Sequence, residues 1–140
     1  MPGRWQVTAL LIALYLSRPL QYIEVVYAAA ERVNVDPVLA CALVEWESGF
    51  DPTSWDTNSD GSTDYGLFRL CSRYFYQYRE SIERHCAQGA AFLMGCLMME
   101  GGDEVRALSR YNAGSPTSET GRRYAARVLA IRDRIKEAVK

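Results

Sequence analysis

The sequence predicts a mainly α-helical domain of the α+β kind, with one small β-hairpin beside an active-site cleft. Apolar residues recur at helical spacing over most of the 140 residues. Helix starts and stops punctuate them: Asp36-Pro37, Gly49, Gly101-Gly102-Asp103 and Gly114. One polar stretch rich in turn formers, Asp51 to Asp64, interrupts the pattern and is the natural place for a hairpin. The length favours one domain with enough buried surface for a core. The 49% hydrophobic and 24% charged residues exclude a disordered or fibrous chain.

Residues 1–19 combine a basic start with an apolar run, Val7 to Leu16. They read as a signal or anchor segment, or as a first helix packed on the domain, and residues 20–140 as the domain itself. The run falls short of the roughly 20 residues a spanning helix needs. Tyr22, Val26, Ala29, Ala30 and Val33 share a face of the next helix, which Asn34-Val35 breaks. Asp36 as N-cap and Pro37 at the first helical position open another. Its core stripe is Leu39, Leu43 and Trp46, and Gly49 ends it. Within Asp51–Asp64, Asp60-Gly61 is a hairpin turn. Ser72–Gly101 reads as mostly helical, with a break near Ser81 or Gln88-Gly89, and Ala90–Glu100 as a buried central helix. A short helix over Val105–Arg110 follows. The last helix carries Tyr124, Val128, Ile131 and Ile135 on one stripe.

The net charge of −1, from 16 basic and 17 acidic residues, argues against bulk binding to nucleic acid. From Gly121 onward, however, seven Arg or Lys face two acids, a local excess of +5 that reads as a solvated helix face or as attraction to an anionic polymer. His85 is the single histidine, and Cys41, Cys71, Cys86 and Cys96 lack metal-ligand spacing, so no metal or cofactor is expected. The cysteines are either small buried hydrophobes or two disulfides of open pairing. Asp56, Asn58, Asp60, Gly61 and Asp64 match the start of a calcium loop, but Leu67 stands where the closing glutamate belongs, which disfavours calcium.

Two carboxylates carry the chemistry. Glu47 lies in the last turn of its helix, with Leu43 and Val44 one turn back and Phe50 just beyond. Desolvation by such neighbours raises a carboxyl pKa, which is what a general acid needs. Asp64 follows from the turn-rich stretch. A pair of acids on a helix end and a hairpin is suited to cleaving a glycosidic bond. The aromatics Tyr74, Phe75, Tyr76 and Tyr78 are either core packing or a platform for sugar faces.

Four motifs, in order, resemble the soluble-type lytic transglycosylases of the lysozyme-like fold: Glu47-Ser48-Gly49-Phe50-Asp51-Pro52, Gly66-Leu67-Phe68-Arg69-Leu70, Tyr111-Asn112-Ala113-Gly114 and Tyr124-Ala125-Ala126-Arg127-Val128-Leu129. The resemblance covers about residues 20 to 135. Asp60 to Gly66, with Ser72-Arg73 after it, also resembles the hairpin of c-type lysozymes. These resemblances imply a muramidase acting on the β-1,4 bond between N-acetylmuramic acid and N-acetylglucosamine in peptidoglycan glycan strands. Glu47 would be general acid and base, and Asp64 the nucleophile or charge stabiliser of the lysozyme route. In lytic transglycosylases the substrate's own N-acetyl group and 6-hydroxyl complete the reaction and give a 1,6-anhydro product. Ser48, Tyr65, Gly66, Leu67, Phe68, Arg69, Tyr111, Asn112 and Tyr124 would line the substrate site, with Tyr111 orienting Glu47 or the acetamido group. Phe68 and Arg69 stand where the family pattern has Met and Gln; an arginine there can pair with Glu47 or with a muramyl carboxylate. A monomer is expected, exported to the periplasm, cell envelope or exterior or carried by a phage, with envelope or virion assembly partners. A catalytically silent wall-binding or structural protein on the same scaffold is the reading from another class.

Overall fold

The computed structural model describes residues 3–140 and has six helices and three short strands among them. The helices are α1 (Arg4–Leu16), α2 (Leu20–Arg32), α3 (Pro37–Ser48), α4 (Ile82–Met99), α5 (Glu104–Ala113) and α6 (Glu119–Ala138). The strands β1 (Trp55–Thr57), β2 (Thr63–Tyr65) and β3 (Leu70–Cys71) form one antiparallel sheet in the order β1-β2-β3. The mainly helical class with a small β element is thus the observed one, and β3 extends the expected hairpin by a strand.

The core helix is α3, flanked by α2 and α6. Every residue from Val38 to Val44 is buried. The Asp36 carboxylate accepts from the Val38 amide at 2.9 Å, the cap that the Asp-Pro pair predicts. Small residues Ala40, Cys41 and Ala42 let neighbouring helices approach closely. Cys41, Cys86 and Cys96 are buried free thiols, and Cys71 is a free thiol at the edge of the sheet.

The break expected near Ser81 or Gln88-Gly89 falls at Ser81, and two other details differ from the sequence pattern. Residues 72–80 form turns rather than a helix, because Gln77 donates its amide to the Leu70 carbonyl at 2.9 Å and ties the segment to β3. Helix α4 begins at Ile82, capped by Ser81, and runs through Gln88-Gly89 without a break. Its far end is not buried all round: Met98 is 73% exposed and Met99 66%. A Cβ on Gly89 would come within 2.2 Å of the Phe68 ring, so this glycine provides close packing and not a helix stop.

The α1 segment packs on α2 and α6 through Ala9, Ile12 and Ala13, and Trp5 stacks on Tyr27. Its other face, Val7, Leu10, Leu11, Leu14 and Tyr15, is exposed. Among the described residues no helix is long and apolar enough to cross a membrane. The first two residues of the basic start, Met1 and Pro2, lie outside the described residues.

Candidate active site

Glu47 is placed by the way α3 ends. Gly49 takes the left-handed conformation, φ 59°, and its amide donates back to the Glu45 carbonyl at 3.0 Å. Phe50 is also left-handed, φ 62°, and buried, so the chain turns sharply at the bottom of the helix. Arg18 grips Glu45 with two hydrogen bonds of 2.8 and 3.0 Å and fixes this turn against the α1–α2 connection. Ser48 donates to the Leu67 carbonyl at 2.8 Å, joining α3 to the loop between β2 and β3.

That loop is clamped at two further points. The Phe68 amide donates to Nε2 of His85 at 3.0 Å, and the Tyr111 hydroxyl donates to the Phe68 carbonyl at 2.7 Å. Gly66 lies at φ 84°, and a Cβ there would stand 2.5 Å from the His85 ring. Leu67 and Phe68 are fully buried, and Tyr65 nearly so. These residues therefore hold the site from beneath, with their side chains turned away from the cleft lining. His85 must be neutral to accept from Phe68, and burial lowers its pKa to about 4. The sequence reading gave His85 no role. Its partner lies 17 residues earlier in the chain, and no local pattern connects the two.

The cleft itself has a volume of about 430 Å³, and Glu47, Asp64, Arg69, Tyr111 and Asn112 all line it. Four aromatic rings run from its rim to the acid. Phe75 meets Phe92 at 4.9 Å, Phe92 meets Tyr111 at 4.8 Å, and Tyr111 stacks on Tyr124 at 6.4 Å with planes 8° apart. Tyr124 ends the row by donating its hydroxyl to Glu47 Oε2 at 2.7 Å. The carboxylate's partner is therefore Tyr124 and not Tyr111, whose hydroxyl is committed to the Phe68 carbonyl. Of the tyrosine-rich segment, Tyr74 and Phe75 reach the cleft; Tyr76 and Tyr78 pack on each other at 4.7 Å.

Burial pushes the Glu47 pKa up to about 7, against the lowering effects of the Tyr124 hydroxyl and the Arg69 charge; the Asp64 charge adds to the rise. Burial and the nearby Glu47 charge also push the Tyr124 phenol well above its usual range, so its hydroxyl stays a donor. Asp64 Oδ1 accepts from the Asn58 side-chain amide at 3.1 Å. Asn58 also shapes the hairpin turn, where its amide donates to the Ser62 carbonyl at 2.7 Å. Arg69 sits at φ 49°, an uncommon conformation for a bulky residue. It is held by Ser54 at 2.8 Å and by an ion pair with Asp56, so it does not pair with Glu47. Of the calcium pattern's carboxylates, Asp56 and Asp60 are engaged in ion pairs with Arg69 and Arg73, and Asp64 accepts from Asn58. Trp46 was placed on the core stripe by its spacing, yet it is 42% exposed and lines a surface groove beside α6, with the Arg127 guanidinium over its ring.

Known proteins with similar sequences identify the family. Protein IpgF of Shigella flexneri is 33% identical over 96 residues, 62% of this chain and 63% of that protein, and the Shigella sonnei IpgF matches over the same shares. Lysozyme C II of Oncorhynchus mykiss is 48% identical over 33 residues, 24% of this chain and 23% of that lysozyme. The chain thus spans 63% or less of the length of these curated relatives. The Transglycosylase SLT domain matches residues 24–130, a stretch that takes in both carboxylates, the hairpin and the stacked tyrosines, and the chain belongs to that family.

Proposed function

We propose that this chain is a peptidoglycan lytic transglycosylase that cleaves the β-1,4 bond between N-acetylmuramic acid and N-acetylglucosamine, with Glu47 as acid and then base. The observation that carries the reading is a half-buried carboxyl lining the cleft, its Oε2 held by the Tyr124 hydroxyl at 2.7 Å, and burial there pushes its pKa up to about 7. Protonated Glu47 gives its proton to the bridging oxygen, and the C1–O4 bond breaks. Positive charge develops at C1. The acetamido oxygen of the same sugar stabilises it. The Glu47 carboxylate, steadied by Tyr124, then takes the proton of the 6-hydroxyl as that oxygen closes on C1. The products are a 1,6-anhydromuramyl end and a free 4-hydroxyl, and no water is consumed.

Asp64 on the opposite wall supports a second, hydrolytic reading. A carboxylate there can stabilise or bond to C1, after which Glu47 activates a water as in a lysozyme. Mass spectrometry of peptidoglycan digested by the purified chain separates the two, since the anhydro product is lighter by one water. Release of no muropeptide at all would leave the scaffold as a silent wall-binding protein. Residues 20–140 act as the catalytic domain in this reading, and residues 1–19 as its first helix or as an export segment. The substrate requires delivery to the envelope, outside the cell or on a virion.

A further inference from the structure

The cleft continues past Glu47. Asn112 also lines a second, shallower groove of about 260 Å³, walled by Trp46 on α3 and by Thr120, Arg123, Tyr124 and Arg127 on α6. The α6 positions are three or four apart and so share one helix face. The Arg127 guanidinium lies over the Trp46 ring, 5.0 Å from its centroid. Among the described residues Arg127 forms no ion pair, and Arg123 has only an exposed one with Glu119 at 2.9 Å. No acid lines this groove, whereas the cleft on the other side of Glu47 contains two. A guanidinium held over an aromatic face by its charge can still donate N–H bonds to an anion.

We propose that this groove is a carboxylate-binding subsite for the glycan strand beyond the scissile bond, taking either the lactyl carboxylate of a muramyl unit or the carboxylates of an attached peptide stem. The proposal rests on the peptidoglycan reading above. A strand lying in the cleft with its bridging oxygen at Glu47 meets the groove next, because Asn112 lines both and Tyr124, which lines the groove, donates to Glu47. Two guanidinium groups with a single weak internal partner between them suit an anion that arrives with the substrate. They also account for the basic excess in α6 at the point where it meets the site.

The test uses the Glu47→Gln protein, so that the ligand is not consumed. Its binding is measured to stem-bearing peptidoglycan strands, to strands stripped of stems by an amidase, which keep the lactyl carboxylate, and to chitin oligosaccharide, which has no carboxylate. Adding Arg123→Gln and Arg127→Gln on exposed positions should weaken binding to stem-bearing strands, to stripped strands or to both by about tenfold or more, the scale of one charge-assisted hydrogen bond. The salt dependence should flatten, and chitin binding should stay unchanged. A loss confined to stripped strands assigns the lactyl group, whose carboxyl is an uncharged amide wherever a stem is attached; a loss confined to stem-bearing strands assigns the stem, and a loss on both assigns a subsite that takes either carboxylate. Unchanged binding to all three ligands, an equal loss on chitin, or no binding before the arginines are changed overturns the subsite. Product analysis of the parent protein is independent. A chain that holds strands through these arginines but releases no muropeptide sinks the proposed reaction and keeps the subsite, whereas cleavage with no arginine effect does the reverse.

Discussion

The two carboxylates of the cleft are held in opposite ways. Glu47 stands at the foot of the most buried helix, beneath a stacked tyrosine pair and bound by one phenol. Asp64 stands on a three-residue strand of a small sheet, bonded to the amide of a turn residue whose own position depends on that turn. The first environment strips water from its acid and shifts its proton affinity; the second presents its acid on a polar edge. The core supplies the environment for chemistry and the hairpin supplies a wall, so changes at the two sites should differ in kind as well as size.

The largest effect expected is on lysis by Glu47→Gln, which should fall by about 10²-fold or more, as for loss of a general acid. The same variant sharpens the comparison through stability. Because the Glu47 pKa is raised, the folded state resists ionisation. Wild type therefore loses stability as pH climbs from 4.5 to about 7. The glutamine variant lacks that penalty and should gain up to about 3 kcal/mol above pH 7, with no gain at pH 4, as read by denaturant melts. His85 has the opposite sign. Its pKa is lowered, so the unfolded chain binds the extra proton, and stability is lost as pH falls from 6.5 to about 4. The size is again about 3 kcal/mol, and His85→Ala should abolish this acid sensitivity while loosening the Phe68 loop. In wild type the two slopes oppose each other between pH 4.5 and 6.5, and Glu47→Gln should expose the His85 slope.

Asp64→Asn should cost less than about tenfold in lysis if the acetamido group carries the charge. A loss near that of Glu47→Gln would erase the distinction between the two acids and favour hydrolysis. The smallest effect is expected from Tyr124→Phe. Removing the donor takes away an interaction that lowers the Glu47 pKa, so the upper limb of the pH–activity profile should move to higher pH with only a modest change in maximal rate. A downward move would contradict the assigned hydrogen bond.

What could be read from the sequence was mostly local. Asp36-Pro37 and Gly49 mark both ends of α3, and that alone puts Glu47 in its last turn. Asp60-Gly61 marks the hairpin. What could not be read depends on partners distant in the chain. Trp46 has core spacing, but its indole ends up in a surface groove beside α6, under the Arg127 guanidinium. Gly89 reads as a breaker until the Phe68 ring is set against it. The turns over 72–80 depend on a Gln77 side chain reaching back to β3. Tyr111 and Tyr124 both belong to recognisable motifs, yet only packing decides which hydroxyl meets the acid.

The tyrosine that touches Glu47 comes from the final helix, 77 residues further along. Without α6 the Glu47 carboxyl would lack its phenol donor and the cover that this helix gives α3, so the unusual hold on its proton belongs to the packed helices together and not to α3 alone.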